Sequence, residues 1–442
     1  MTTLTQKMDR KSIPAPAIMA GAIALAVAAS FIGNKVVSGL CAMLVILSTA
    51  YFFSEAKQAV KWKTIGAALL VQVSIGAFAL YVPIGQTVLA GMSAGVQQVL
   101  SYANDGINFL FGDLGGFKLG FIFAIHVLMV IVFFSALIAV LYHLGIMQLI
   151  IRVIGGGLQK FLGTSRAESF SATANIFVGQ TEAPLVVRPF IAKMTRSELF
   201  AIMAGGLSTI AGGVLAGFAS MGISVEYLIT ASFMAAPGGL LMAKMLVPET
   251  EPEKISNEEA DADIDESDKP ANVFDAAAQG AANGAGLAAN VGAMLVAFIS
   301  LIALLNGILG GLGGLVGFDG LTLQTILGYL FSPVALVMGV PLSEATTFGS
   351  LLGQKLVMNE FVAYVDFTNV RETLSAHSQA IITFALCGFA NLSSIAILLG
   401  GIGGMAPNRR KEIAQMGMRA VLAGTFANLM SASIAGIFIA IA

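Results

Sequence analysis

Charge is what this sequence has least of. Asp, Glu, Lys and Arg together make up 11% of 442 residues, against roughly 25% in an ordinary soluble domain. Mean hydropathy is +0.87. Two cysteines, Cys41 and Cys387, each lie in an apolar run, which excludes a disulfide framework and makes both small buried hydrophobes. Three histidines and two cysteines at these positions give no metal-ligand spacing. Alternating polarity over segments of about ten residues, the mark of a membrane barrel, is also missing.

Long uncharged runs are abundant. Thr64–Asn104, Leu119–Ile151, Leu199–Val225, Ala276–Phe318, Thr373–Asn408 and Ala420–Ala442 carry no Asp, Glu, Lys or Arg. Each exceeds the ~20 residues that cross a bilayer as a helix. The fold class is therefore an all-α polytopic membrane protein. What charge exists is segregated: Glu249–Lys269 holds ten acids and two lysines, the composition of a disordered loop.

Basic clusters orient the chain. Lys57/Lys61/Lys63, Arg152/Lys160/Arg166, Arg188/Lys193/Arg196 and Arg409/Arg410/Lys411/Arg419 belong in the cytoplasm by the positive-inside tendency. Residues 64–83 then lead out and 119–144 return, with 84–118 outside as a candidate interfacial helix. Between the second and third clusters, Ala167–Val187 must enter and leave on one face, so it reads as a re-entrant hairpin with QTEAP at its tip. Capping boxes at Ser165–Glu168 and Thr195–Glu198 mark helix starts at its borders. After spans at 199–222, 227–247 and 283–310, Leu327–Tyr364 repeats the pattern from the opposite face. Residues 373–402 then lead in and 417–442 out.

Two hairpins inserted from opposite faces, each followed by a span, form an inverted repeat. Glu182-Ala183 and Glu344-Ala345 mark the two tips, and STIA (Ser208–Ala211) and SSIA (Ser393–Ala396) mark interruptions in the spans that follow. The segments are a cytoplasmic tail (1–13), N-terminal spans with the interfacial helix (14–149) and a first hairpin repeat (150–247). An acidic cytoplasmic loop (248–272), a scaffold span (273–320), a second hairpin repeat (321–403) and a C-terminal span (404–442) follow. Ile13–Gly33 reads as a retained span, with a cleaved signal segment as the alternative.

A carboxylate at mid-membrane costs at least ~2.5–3.5 kcal/mol and is tolerated beside a wet cavity. Broken backbone is tolerated in the same place. Secondary transporters combine the two at the interface of inverted repeats. Two tip carboxylates with amides and hydroxyls, and no tip lysine or arginine, disfavour an anionic solute. A neutral polyhydroxyl or heterocyclic molecule fits better. A membrane enzyme would need a nucleophile–base or metal constellation, which the sequence lacks. A channel or receptor could share the binding residues.

GQTEAP (Gly179–Pro184), GQKLVMNEFVAY (Gly353–Tyr364) and FALCGFANLSSIA (Phe384–Ala396) stand in this order. With them the chain, from about residue 36 onward, resembles the concentrative nucleoside transporters, in particular bacterial sodium-coupled members. The resemblance implies a homotrimer in the bacterial cytoplasmic membrane, with a scaffold and a mobile transport domain. It implies nucleoside import, with uridine, cytidine and adenosine as substrates and no nucleic-acid partner. By it, Gln180, Thr181 and Glu182 contact the base; Glu344, Asn391 and Ser394 hold the ribose hydroxyls; and Phe389 lines the pocket. Sodium is held by the side chains of Asn175 and Thr209 and the carbonyls of Val178, Thr209 and Ile210, with proton coupling as the alternative. Thr209 stands where a close relative has serine and keeps the hydroxyl. One departure predicts a conformational effect: HVLMVIVFFSAL, with His126 and Met129, lacks the family's proline, and the helix there is expected to be straighter.

Overall fold

The computed structural model describes residues 15–116, 120–254, 270–315, 317–318 and 320–442. The tail over 1–13 and Ile255–Lys269 of the acidic loop lie outside them. The described residues contain no strand, and seven of their helices are long and apolar enough to cross a bilayer.

The chain opens with α1 (Ala15–Ile32), α2 (Lys35–Phe52), α3 (Trp62–Leu80) and the 29-residue α4 (Pro83–Phe111), which fills the segment read as interfacial. The next span, Phe123–His143, forms a single 21-residue crossing without a sharp bend. It divides into α5 (Phe123–His126) and α6 (Leu128–His143), with Val127 between them at φ −113°, ψ −54°. His126 is buried; its Nδ1 lies 2.9 Å from the Ile122 N–H, and its Nε2 3.3 Å from the Gly115 carbonyl. These bonds tie the first turn of the span to the loop before it.

The segment read as the first repeat holds α7 (Ile146–Leu162), α8 (Arg166–Ala174), α9 (Arg188–Ile191), α10 (Arg196–Ser208), α11 (Gly212–Ser220) and α12 (Val225–Leu246). Both capping boxes are present as read, with Ser165 and Thr195 bonded reciprocally to Glu168 and Glu198. The acidic stretch starts anchored, not loose: Glu249 is buried and accepts the Thr195 hydroxyl at 2.7 Å.

The 43-residue α13 (Val273–Leu315) leads to the segment read as the second repeat, with α14 (Leu323–Val337), α15 (Leu342–Val357), α16 (Glu360–Val370), α17 (Ala376–Leu386) and α18 (Ser394–Met405). The closing helix is α19 (Arg410–Ile441). Helices α14 and α15 pack together and are bent by 117° across the four residues between them. Near the end of α2, Glu55 accepts from Arg196 Nη2 (2.9 Å) and Nε (3.1 Å) and pairs with Arg419. The hydrogen bond from Arg196 holds the Glu55 carboxyl below its ordinary range. This cluster joins α10 and α19 to the chain entering α3.

Helix α13 packs on α6 through glycine. A Cβ on Gly280 would lie 2.6 Å from Ala139 Cβ, and one on Gly284 2.8 Å from Val132 Cα. Such Gly-xxx-Gly stripes let two membrane helices approach backbone to backbone. Gly284→Val should therefore lower stability by about 1–3 kcal/mol through overpacking. The check is the apparent Tm of the purified protein in detergent; an unchanged Tm would show that the two helices part without cost.

Candidate functional site

Both spans that follow the hairpins are broken. Helix α10 stops at Ser208 and α11 resumes at Gly212, an interruption that coincides with Thr209-Ile210-Ala211 of STIA. The second break runs over Cys387–Ser393, longer than SSIA and lying mostly before it. The breaks touch directly: the Phe389 N–H donates to the Thr209 carbonyl at 3.1 Å. The tip of the first hairpin joins them, since the Gly212 N–H donates to the Phe177 carbonyl at 2.9 Å. Backbone groups freed by interrupting two helices are thus partly spent on each other.

Around this junction the structure gathers most of the residues expected to act. Gln180 is buried and its Nε2 reaches Ser394 Oγ at 3.4 Å. Asn391 Oδ1 accepts the Ser394 N–H (2.9 Å) and the Ser393 hydroxyl (2.7 Å). Thr181 is half-buried and packs against Gly401. Phe389 is half-buried beside the junction. Glu182 is exposed, and one of its oxygens accepts the Gly179 N–H at 2.9 Å. It borders a cavity of about 1030 Å³, which Phe177, Val178, Ala211 and Gly213 also line.

Glu344 is not part of this group. It lies in the first turn of α15, where its two oxygens accept the N–H (3.1 Å) and hydroxyl (3.0 Å) of Ser375, the N-cap of α17. The carboxylate that meets Asn391 is Glu360, just beyond the other end of α15. It is buried, and its Oε2 accepts Asn391 Nδ2 at 3.0 Å. Thirteen residues of α15, Ala345–Val357, about 20 Å of helix, lie between the two acids. Glu360 stands in GQKLVMNEFVAY, so the acid was available in a motif that the sequence had already singled out.

Lys355 and Asn428 are further residues that the sequence reading passed over. Lys355 is fully buried; its Nζ donates to the Ala385 carbonyl and to Asn428 Oδ1, each at 2.7 Å. The Asn428 amide donates to the Ser208 carbonyl (2.7 Å) and the Cys387 carbonyl (2.8 Å). One side chain on α19 therefore braces both breaks. A lone asparagine in an otherwise uncharged span was its only signal.

The residues expected to hold sodium fit a hard cation. Asn175 is fully buried; its Nδ2 donates to the Ser171 carbonyl at 2.9 Å, while Oδ1 has no hydrogen-bond partner. A buried orphan acceptor is costly unless a cation engages it. Asn175 ends α8 and abuts Gly205 and Gly206 near the end of α10, so two helix C-termini with their partial negative charge converge there. Thr209, one residue past α10, is buried and presents its hydroxyl to the Gly205 carbonyl at 3.2 Å. Val178 and Ile210, expected to contribute carbonyls, are both buried in the adjoining segments. An oxygen-only shell at a broken helix suits sodium.

Comparison with known proteins agrees with this geometry. Family models described as Na+ dependent nucleoside transporter N-terminus, Nucleoside recognition (Gate) and Na+ dependent nucleoside transporter C-terminus match residues 41–114, 124–225 and 227–436. The chain belongs to the concentrative nucleoside transporter family. It is 50% identical to the nucleoside permease NupC of Helicobacter pylori over 90% of this chain and 96% of that protein. It is 56% identical to the uncharacterized transporter YutK of Bacillus subtilis, over 92% of this chain and all of that one. Mouse sodium/nucleoside cotransporter 1 is 39% identical over 90% of this chain and 63% of its own length. Among solved structures, CNTnw in an inward-facing substrate-bound state superposes with a TM-score of 0.86 at 55% identity, covering 92% of this chain and 99% of that one. An outward-facing variant of CNTnw gives 0.88 with the same identity and coverage.

Proposed function

We propose that the protein imports nucleosides across the bacterial cytoplasmic membrane as a homotrimer, coupled to sodium, by alternating access. The observation that carries this reading is the direct bond between the two helix breaks. On one side of it lies the unpartnered oxygen of Asn175; on the other lies the chain Gln180–Ser394–Asn391–Glu360. A cation and a polar solute would thus be read by one connected piece of backbone.

In this reading Gln180, Thr181 and Glu182 address the base. Asn391, Ser394 and Glu360, in place of Glu344, hold the ribose hydroxyls, while Phe389 closes the pocket. Asn175 and Thr209, with the carbonyls of Val178, Thr209 and Ile210, take the cation. Engaging it ties the hairpin tip to the first break and so sets Gln180, five residues after Asn175, against Ser394. One cation crossing 100 mV supplies ~2.3 kcal/mol, roughly a fifty-fold accumulation before any sodium gradient is added.

Radiolabelled uridine uptake into proteoliposomes, with sodium and proton gradients imposed separately, tests the proposal. Accumulation above equilibrium with the sodium gradient alone is the expected result. Uptake driven only by external acid would transfer the coupling to protons, and mere equilibration would indicate a channel. Asn175→Ala should raise the sodium needed for half-maximal uptake by about tenfold or more, the loss of one well-placed ligand oxygen. An unchanged sodium requirement removes Asn175 from the cation site.

A further inference from the structure

The 1030 Å³ cavity has a second wall that the binding residues do not use. Opposite Phe177, Val178 and Glu182, it is lined by Ser135 and Tyr142 of α6 and by Gln279 and Asn283 of α13. The glycine stripe explains the placement of the two amides. Gly280 and Gly284 face α6, and Gln279 and Asn283 each precede one of them. At 100° per residue, the amides form a parallel stripe, one turn apart, turned toward the cavity. The Gln279 Nε2 donates to Asp275 Oδ1 at 3.2 Å, which leaves its carbonyl oxygen for a visitor.

From these positions we propose a release station for the nucleoside on the α6–α13 wall, distinct from the Gln180–Ser394–Asn391–Glu360 cluster. Primary amides offer a donor and an acceptor together, the pattern that base edges complement, and Tyr142 supplies an aromatic surface. Typical small-ligand pockets occupy ~300–1,000 Å³, so this cavity has space for a base beyond the hairpin tip. It continues past Gln148 to Arg152 and Arg188, at the end that the basic clusters assign to the cytoplasm. The station thus lies between the binding cluster and the exit. A base leaving Glu182 would exchange one set of hydrogen bonds for another instead of entering water in one step. The proposal rests on the nucleoside-transport reading above.

The test combines labelling with kinetics. Asn283→Cys is introduced into the full chain, whose two native cysteines are buried, and inside-out vesicles are treated with a membrane-impermeant thiol reagent. Uridine with sodium should slow labelling at 283 by about threefold to tenfold, the worth of one or two hydrogen bonds. It should not slow labelling of Ala271→Cys, which is exposed just before the start of the same helix. In parallel, Asn283→Ala and Gln279→Ala should raise the half-saturating uridine concentration for efflux by a similar factor, with that for uptake changed less than about twofold. Absence of protection at 283 in a variant that still transports overturns the station, as do equal effects on both directions. If Gln180→Ala alters neither direction, the underlying nucleoside site fails instead, and that outcome is read separately.

Discussion

Replacing Glu360 with glutamine will lower sodium-driven uridine uptake by roughly 10- to 150-fold, whereas Glu344→Gln will stay within about threefold of the parent. The first figure follows from hydrogen bonds to a charged group, worth about 1.5–3 kcal/mol, at 1.36 kcal/mol per tenfold in rate. Glu360 is buried against Asn391, so a hydroxyl donating to it loses a charge-assisted acceptor. Glu344 only caps α17 through Ser375, and a glutamine oxygen can accept there as well. Initial rates in proteoliposomes, normalised to protein that elutes as a single species on sizing, measure both. Parent-like uptake by Glu360→Gln, or an equal collapse of Glu344→Gln, would return the ribose role to Glu344.

The second large effect belongs to Asn428. Asn428→Leu strands the Ser208 and Cys387 carbonyls and one donor of Lys355, all inside the packed core. With a charged partner among them, the loss should reach about 3–5 kcal/mol, against less than about 0.5 for an ordinary surface change. Lys355→Met should cost a similar amount by itself. Because the two side chains share a bond, the double variant should cost less than the sum, with a coupling of about 0.5–3 kcal/mol. Denaturation of all four proteins in one detergent provides the cycle. Strict additivity would mean that Lys355 and Asn428 brace the breaks independently.

Much of the architecture was legible because the bilayer penalises what this chain does at particular points. Two same-sided basic clusters around Ala167–Val187 demanded a turn-back, and the structure has an irregular segment from Asn175 to Glu182 there. STIA located the first break, three of its four residues standing in it. The second repeat was harder to read. An acid at a hairpin bend looks like a tip carboxylate, yet Glu344 turns to a helix N-terminus supplied by Ser375, thirty-one residues on. Nothing in local spacing tells which of two acids, one helix apart, meets a break in another span; tertiary docking of α15 and α16 decides it. The proline-less span shows one non-helical residue, Val127, inside a single 21-residue crossing.

Helix α13 is 43 residues long and mostly unburied within the chain. At 1.5 Å per residue it measures about 65 Å, twice the ~30 Å of a hydrocarbon layer. Upright, it would project far beyond both leaflets; steeply inclined, its greasy surface stays submerged. Its close packing on α6 through Gly280 and Gly284 sets how it leans, so one rigid pair of helices carries the cavity wall from the hydrocarbon layer out to the aqueous side.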